Sequence, residues 1–314
     1  MILKSYLQKT LSLFGLRFDR LPRHQRWYEK AEVVVPVGNY KIRMPSTSLL
    51  PELFSANPNY SSELGRLVAA VWEKYPGLHV LDVGANFGDS VAIIKSAVNV
   101  PVTCVEGDEQ CFNLLENNIK QFDGVTLCKL FLGDRSETVS VTIEKKGWNA
   151  TLVPSRNGNS LKVELKTLDD FLPAFGSLNA FKVLKIDTEG FDCRIIRGGM
   201  EFIREVKPVI TFEYNRDNMR RIGEDGLTTL SLLQDIGYNI MLFYDGQGRL
   251  VTASTLNDEE LLTDLHTYAN GRNGAIYYYD LCLFHREDDD IAVSFRQTER
   301  DKVRQADKAL THNI

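Results

Sequence analysis

The sequence has few of the features that would assign it to a specialised class of protein. It contains five cysteines, an odd number, and none of them form a C-x-x-C pair. We therefore expect neither a disulfide framework nor a zinc knuckle, and reduced thiols in a cytoplasmic protein are the simplest interpretation. Cys104, Cys128 and Cys282 lie in apolar runs, which predicts that they are core residues rather than nucleophiles.

Long apolar runs and an excess of positive charge are also missing. No segment has the roughly 18 continuous apolar residues of a transmembrane helix. Residues 1–18 lack a long apolar core and a small-residue cleavage site, so we expect no signal peptide. The helical spacing of Leu3, Leu7, Leu11 and Phe14 predicts an amphipathic helix that packs on its own domain, on a second subunit of a homo-oligomer or on a membrane surface. The formal net charge of -5 disfavours a nucleic-acid partner.

What is present is an ordinary globular composition, with 43% apolar and 25% charged residues. Apolar strands alternate with helices from Leu78 to about Phe212, which predicts an α/β fold with helices on both faces of a parallel sheet. We expect three regions: an N-terminal extension over residues 1–74, a domain over 75–285 and a charged tail over 286–314. The predicted strands are Glu32–Val37, Tyr40–Met44, His79–Val83, Val102–Glu106, Thr126–Leu132, Val139–Ile143, Leu161–Lys166, Val183–Asp187, Val209–Glu213, Ile240–Tyr244 and Tyr277–Phe284. The predicted helices are Ser61–Lys74, Ser90–Ala97, Glu109–Gln121, Leu168–Leu172, Asp192–Ile203 and Leu227–Ile236.

The most informative segment is the strand, turn and helix from His79 to Ser90. Gly84 and Gly88 allow tight turning and close approach of a ligand to the backbone. The dinucleotide fingerprint G-x-G-x-x-G fails, because Asn86 and Asp89 occupy the later glycine positions. Asp82 would repel a pyrophosphate but suits the ammonium or sulfonium of S-adenosylmethionine.

The next two strands add ligand-facing groups. Glu106 ends the second strand, where a carboxylate can accept hydrogen bonds from ribose hydroxyls. The third strand leads into Leu132–Asp134, which could meet an adenine edge. Three such features on successive strands predict a cofactor that carries a nucleoside.

Seven short segments resemble the FkbM-type methyltransferases of the class I superfamily. They are Leu81–Gly88, Val105–Asp108, Asn113–Asn118, Leu132–Asp134, Lys166–Phe171, Leu184–Gly190 and Phe212–Glu213. The first is general to the superfamily, whereas T-L-D-D at Thr167–Asp170 together with the K-I-D-x-E-G segment is specific to this family. Gly107 stands where the family usually has proline, which alters the shape of that loop.

The resemblance implies a Rossmann-like class I methyltransferase core with a mostly parallel, seven-stranded sheet. It also implies S-adenosylmethionine-dependent methylation of a hydroxyl, often on a sugar or polyketide. By this likeness the cofactor-binding residues are Asp82, Gly84, Asn86, Gly88 and Glu106, with Asp134 near the adenine. Lys185, Asp187 and Glu189 would face the reacting centre, although an ion pair of Lys185 with either carboxylate is a purely structural alternative.

Methyl transfer to a hydroxyl requires alignment of the acceptor and removal of its proton. Asp187, Glu213 and His266 are the candidate bases. Alternatively, Asp187 and Glu213 could bind a divalent cation such as Mg²⁺ that lowers the pKa of the bound hydroxyl.

Three polar segments could form recognition loops over the acceptor: Lys145–Thr151, Arg156–Asn159 and Thr263–Asn273. Trp148 in the first could stack on a sugar or simply anchor the loop. The leading hypothesis is an O-methyltransferase for a sugar or glycoconjugate in the cytoplasm. The alternatives are a methyltransferase for a small secondary metabolite and a cofactor-binding scaffold without catalysis.

Overall fold

The computed structural model describes residues 31–146, 149–154, 161–270 and 276–311. Within these ranges, eight strands form the central sheet. They are β3 (Val80–Val83), β4 (Val102–Val105), β5 (Val125–Cys128), β10 (Val183–Ile186), β11 (Val209–Tyr214), β12 (Tyr238–Tyr244), β13 (Leu250–Thr255) and β14 (Tyr279–His285). Their order in the sheet is β13-β12-β14-β11-β10-β3-β4-β5. Neighbouring strands from β11 to β5 are parallel, whereas β14 is antiparallel to β11 and to β12, and β13 is antiparallel to β12.

Helices cover both faces of this sheet. The helices are α1 (Leu50–Ala56), α2 (Ser62–Lys74), α3 (Asp89–Ala97), α4 (Glu109–Asn118), α5 (Leu168–Phe171), α6 (Asp192–Arg197), α7 (Met200–Val206), α8 (Arg216–Arg221), α9 (Leu227–Asp235), α10 (Glu259–Tyr268) and α11 (Asp289–Thr311). The residues of β3 and β4 are all buried, because each strand has a helix layer on either side. Successive residues of one strand pack in different cores, because their side chains point to opposite faces of the sheet: Leu81 lies in one cluster and Val80 in the other. The predicted α/β architecture is confirmed, and β13 adds an edge strand to the seven expected.

A smaller sheet lies beside the central one, in the order β6-β9-β7-β8. Its strands are β6 (Phe131–Leu132), β7 (Glu137–Lys146), β8 (Asn149–Pro154) and β9 (Leu161–Lys166). The prediction of a loop over Lys145–Thr151 was wrong at both ends. Lys146 pairs with Asn149, and Glu144 pairs with Thr151, so both ends belong to the β7–β8 hairpin. Trp148 and Arg156–Asn159 fall outside the described residues.

The N-terminal strand pair is confirmed as β1 (Glu32–Val37) and β2 (Tyr40–Pro45), which are antiparallel and turn at Gly38 and Asn39. The amphipathic helix predicted over residues 1–18 falls outside the described residues. Helix α2 begins one residue later than predicted, because Ser61 is its N-cap residue, and the Ser61 side chain makes no capping hydrogen bond.

Two predicted elements are divided in the structure. The strand predicted over Thr126–Leu132 is divided into β5 and β6, which belong to different sheets. The helix predicted over Asp192–Ile203 is divided at Gly198 and Gly199, and a Cβ on Gly198 would lie 2.1 Å from the carbonyl oxygen of Gly133. The close approach of the Gly133 loop therefore explains why glycine stands at this break.

The C-terminal third contains more regular structure than predicted. Most of the predicted polar cover Thr263–Asn273 is helix α10 or lies outside the described residues. The charged segment after Arg286 forms α11, on which Ile291, Ala292 and Phe295 are buried. This charged segment is therefore a helix with one buried face, while the division of the chain into three regions stays a prediction. In the part of the chain that the structure describes, no helix is both long and apolar enough to cross a membrane.

Candidate cofactor and acceptor site

The turn after β3 needs glycine at two positions, Gly84 and Gly88, because both have positive φ and close neighbours. Gly84 has φ +77°, and a Cβ there would lie 1.9 Å from the carbonyl oxygen of Asp187. Gly88, with φ +85°, is the N-cap residue of α3, and no side chain makes a capping hydrogen bond there. The turn therefore presses against the end of β10, and it brings the cofactor segment next to the predicted reacting centre.

Glu106 follows β4 and is held by two backbone donors. Its Oε2 accepts from the Asn86 amide at 3.0 Å, and its Oε1 accepts from the Asp108 amide at 2.7 Å. Burial raises the pKa of Glu106 to about 7, although the two backbone hydrogen bonds oppose the shift. Each carboxylate oxygen keeps a second lone pair, which is the requirement for accepting ribose hydroxyls.

Asp82 is fully buried beneath the turn, and its partners come from the protein. Its Oδ1 lies 3.0 Å from Lys185 Nζ, and its Oδ2 accepts from the Ser90 hydroxyl. Lys185 also donates to the carbonyl oxygen of Gly84 at 3.0 Å. Burial alone would lower the pKa of Lys185, but Asp82 and Asp187 raise it above its usual value. Asp82 and Lys185 thus join β3, its turn and β10, and direct contact of Asp82 with the cofactor stays a prediction.

Asp187 and Glu189 lie in the turn after β10. Asp187 has a half-exposed side chain, and its Oδ2 lies 3.9 Å from Lys185 Nζ. Glu189 has φ +55° and accepts from Asn218 Nδ2 at 2.7 Å. Asp192 stabilises the turn, because its carboxylate accepts hydrogen bonds from the Thr188 amide and hydroxyl and from the amide of Gly190. An accessible carboxylate is therefore held on a rigid turn.

Glu213 adds a third carboxylate, on β11, to Asp187 and Glu189 in the turn after the neighbouring strand β10. Its Oε1 accepts from Asn215 Nδ2 at 2.8 Å, and Asp280 of β14 is its direct cross-strand partner. Burial, followed by repulsion from Glu189 and Asp187, raises the pKa of Glu213 well above its usual value. Two carboxyl groups directly opposite each other on antiparallel strands disfavour double ionisation.

His266 does not join these carboxylates. Its Nδ1 lies 2.7 Å from the hydroxyl of Tyr214, a neighbour of Glu213 on β11. Successive residues of a strand point to opposite faces, so the two partners diverge. Burial, together with the nearby Arg216, lowers the pKa of His266 to about 4. The structure therefore places His266 against Tyr214, on the face of β11 opposite to Glu213.

Asp134 is also placed differently from the sequence-based expectation. The third strand of the central sheet ends at Cys128, so Asp134 follows β6 of the smaller sheet instead. Its Oδ2 lies 3.6 Å from Nη2 of Arg197. The adenine-facing role of Asp134 stays a prediction. Phe131 packs against the loop after Glu106, since a Cβ on Gly107 would lie 2.3 Å from its ring.

The residues around the turn fit S-adenosylmethionine. Asn86 Oδ1 is buried and has no hydrogen-bond partner among the described residues, although the Asn86 amide binds Glu106. A buried acceptor without a donor is costly, so it points to a donor supplied by a ligand. Glu106 offers acceptors for ribose, and the carboxylates around Lys185 suit a cationic methyl donor. The fold and these contacts together support a nucleoside cofactor.

A metal site receives no comparable support. Among the described residues, no group of three or more His, Cys, Asp and Glu side chains is arranged to hold a metal ion. Asp187 and Glu213 alone supply two of the six or more oxygens that Mg²⁺ or Ca²⁺ usually takes. The five cysteines are free, and four of them are buried.

Several residues of the site are absent from the sequence-based prediction. They are Asp192, Asn215, Asn218 and Asp280. The sequence could have indicated Asp192, because it belongs to the acidic run from Asp187 to Asp192 at the start of a helix. It could not have indicated Asp280, because only the pairing of β14 with β11 brings Asp280 to Glu213.

Comparison with known proteins agrees with this geometry. A family model described as the methyltransferase FkbM domain matches residues 82–240, half of the chain. This chain belongs to the FkbM methyltransferase family. It is therefore an S-adenosylmethionine-dependent methyltransferase by family, as the sequence motifs predicted. No curated protein matches it.

Three similar solved structures are named as methyltransferases. The FkbM methyltransferase from Methylobacillus flagellatus KT is 16% identical, with a TM-score of 0.40, and the match covers 66% of this chain and 44% of that one. The precorrin-6y C5,15-methyltransferase from Geobacter metallireducens GS-15 is 12% identical, with a TM-score of 0.34 and coverages of 66% and 80%. The S-adenosylmethionine-dependent methyltransferase from Aquifex aeolicus is 10% identical, with a TM-score of 0.34 and coverages of 74% and 97%.

Proposed function

We propose that this FkbM-family chain transfers a methyl group from S-adenosylmethionine to a hydroxyl of a sugar or glycoconjugate. The main support is the contact between the proposed cofactor turn and the residues of the proposed acceptor site. The cofactor turn at Gly84 presses on the backbone of Asp187, so a cofactor on that turn is adjacent to an accessible carboxylate. This arrangement supports transfer to a group whose proton must be removed.

The cofactor supplies an electrophilic methyl group on a sulfonium. Asn86 and Glu106 would hold its nucleoside part, while Lys185 fixes the turn against β10. Asp187 would accept the proton of the acceptor hydroxyl. Glu189, held by Asn218, orients the acceptor through a hydrogen bond.

Two alternatives remain distinct from this proposal. A small secondary metabolite would present one or a few hydroxyls, and the family resemblance includes such acceptors. A scaffold without catalysis would not need an accessible Asp187 beside the cofactor turn. The proposal favours a sugar because carboxylates and amides at the strand ends match a ligand with several hydroxyls.

The test is an acceptor screen with S-adenosylmethionine labelled in its methyl group. Nucleotide sugars, oligosaccharides, glycolipids and hydroxylated small metabolites are incubated with the full chain, and products are located by mass spectrometry. We expect label on a sugar oxygen. Label only on a non-sugar metabolite, or on nitrogen, would refute the acceptor while leaving the methyltransferase assignment intact.

A further inference from the structure

Three carboxyl groups lie close together on the proposed acceptor side of the site. Glu213 on β11 and Asp280 on β14 are direct cross-strand partners, and Glu63 belongs to the first turn of α2. Among the residues that the structure describes, no lysine, arginine or histidine forms an ion pair with any of the three. Like charges repel each other, so this group favours a ligand that brings positive charge.

The strand register places the group next to the proposed base. The ends of β10 and β11 are paired, so Asp187 and Glu213 follow at neighbouring strand ends, and Glu213 in turn pairs with Asp280. Burial raises the pKa of Asp280 well above its usual value, and repulsion from Glu63 and Asp187 raises it further. The negative charge around the proposed base therefore extends to β14 and to the start of α2.

Two buried oxygens in this region need a partner. Oε2 of Glu63 and the hydroxyl of Tyr244 make no hydrogen bond within the described part of the chain. Oε2 of Glu63 lies against the turn after β12, where a Cβ on Gly248 would be 2.0 Å away. Tyr244 ends β12 and is the cross-strand partner of Asp280. Because buried polar atoms without partners are costly, they indicate a ligand that offers N–H or O–H groups here.

The neighbouring cations are engaged elsewhere. Arg66, three residues further along α2, donates to both carboxylate oxygens of Glu299 at 2.6 and 2.7 Å. Burial raises the pKa of Glu63 to about 7, although the charge of Arg66 opposes the shift. Lys185 lies 3.0 Å from Oδ1 of Asp82 on β3. Neither cation therefore neutralises the three carboxyl groups by direct contact.

A cofactor on the Gly84 turn would leave most of this charge unpaired. Neighbouring strands of a sheet are ~4.8 Å apart, and β14 is three strands from β3, so Asp280 lies about 14 Å across the sheet from that turn. The positive charge of the cofactor would meet Asp82 and Asp187 first. A cation at Asp280 is therefore expected from the acceptor.

Two partly buried tyrosines border the same carboxyl groups. Tyr278 precedes β14, and a Cβ on Gly246 would lie 2.4 Å from its hydroxyl. Tyr60 lies just before α2. Burial raises the pKa of both tyrosines, and the charge of Asp280 raises each further. Their rings and hydroxyls suit the C–H face and the hydroxyls of a sugar.

We infer that Asp280, with Glu213 and Glu63 beside it, binds the ammonium group of an amino-sugar acceptor. A carboxylate and an ammonium form charge-assisted hydrogen bonds, and the positive charge favours the ionised form of clustered carboxyl groups. The bound amine is protonated and has no lone pair, so the methyl group goes to a neighbouring hydroxyl. The inference rests on the proposed function and narrows it to amino sugars.

The test measures ligand binding by calorimetry with the full chain and bound S-adenosylhomocysteine, at pH 6, where a sugar amine is protonated. The probes are the dimer of glucosamine, its di-N-acetylated form and glucuronic acid. The two dimers share their ring hydroxyls and differ in the charge of the nitrogen. We expect the amine dimer to bind about tenfold to a hundredfold more tightly than the acetylated dimer, the range for a charged hydrogen bond, and glucuronic acid not to bind.

Three variants separate recognition of the amine from a general effect of charge. Asp280→Asn should remove most of the preference for the amine dimer and leave binding of the acetylated dimer nearly unchanged. Glu63→Gln should lower the same preference. Asp235→Asn makes the same change at an exposed position at the end of α9, so it should keep the full preference.

The inference is overturned if no dimer binds, if the acetylated dimer or glucuronic acid binds as tightly as the amine dimer, or if Asp280→Asn keeps the preference. S-adenosylhomocysteine binding is measured first in every protein, and Glu63→Gln decides if Asp280→Asn fails to bind it. Failure of the unmodified chain to bind it would contradict the proposed function, whereas normal cofactor binding without a preference for the amine would contradict this inference alone.

Discussion

At the scale of single residues, the carboxylates at the strand ends differ in what surrounds them. Glu106 is partly buried and has two backbone donors, while Asp187 is half-exposed and has a lysine at 3.9 Å. Glu213 is next to other carboxyl groups and keeps its proton more tightly than an ordinary glutamate. These surroundings predict different roles for residues that look alike in the sequence.

The pKa of Glu106, raised to about 7, predicts pH-dependent cofactor binding. Ribose hydroxyls donate to the ionised form, so affinity for S-adenosylhomocysteine should rise as pH increases through 7. The gain should approach tenfold per pH unit below the pKa. Glu106→Gln should weaken binding at pH 8 by about 1–3 kcal/mol and remove this slope.

Calorimetric titrations at pH 6, 7 and 8 measure the effect. Glu109→Gln is the matched control, because Glu109 lies three residues away with an exposed side chain. An unchanged pH slope in Glu106→Gln would show that another group titrates.

Asp187→Asn should lower turnover by ~10²–10⁴-fold, because the amide cannot accept the hydroxyl proton. Affinity for S-adenosylhomocysteine should stay close to that of the unmodified chain, since the Gly84 turn meets the Asp187 backbone rather than its carboxylate. Single-turnover rates on the identified acceptor give the measurement, with Glu201→Gln on the exposed face of α7 as control. Normal turnover in Asp187→Asn would rule out this base.

At the scale of elements, the hydrophobic pattern of the sequence predicted most strands. It missed elements that depend on pairing with a neighbouring strand or on a helix cap. Leu161–Lys166 is confirmed residue for residue, and β3 and β4 differ from their predictions by one residue at an end. Strand β13 was missed because its polar sequence is supported by pairing with β12. Helix α8 is short, polar and dependent on its Asn215 cap, so its periodicity was too brief to detect.

Helix α11 provides the sharpest test at this scale. Phe295 is buried against Phe284 with ring centroids 6.4 Å apart, whereas Val293 on the same helix is 49% exposed. Phe295→Ala should lower the free energy of unfolding by about 3–5 kcal/mol. Val293→Ala should change it by less than about 1 kcal/mol.

Urea denaturation followed by circular dichroism compares the two variants. Equal, small effects would mean that α11 does not contribute to the core.

At the scale of the whole molecule, the sequence predicted which of the proposed cofactor residues lie together, but not which residues join the proposed acceptor side. Asp82, Gly84, Asn86 and Glu106 come from two consecutive strand ends, so spacing along the chain was enough to group them. Asp280 reaches Glu213 only because β14 inserts between β11 and β12. The three predicted polar covers were assigned from composition, which does not report pairing or packing.

The central claim is that the turn after β3 binds S-adenosylmethionine rather than a dinucleotide. Calorimetric titration of the full chain with S-adenosylhomocysteine and, separately, with NAD tests it most directly. We predict saturable binding of S-adenosylhomocysteine at one site per chain and no binding of NAD. Binding of NAD alone would contradict the account.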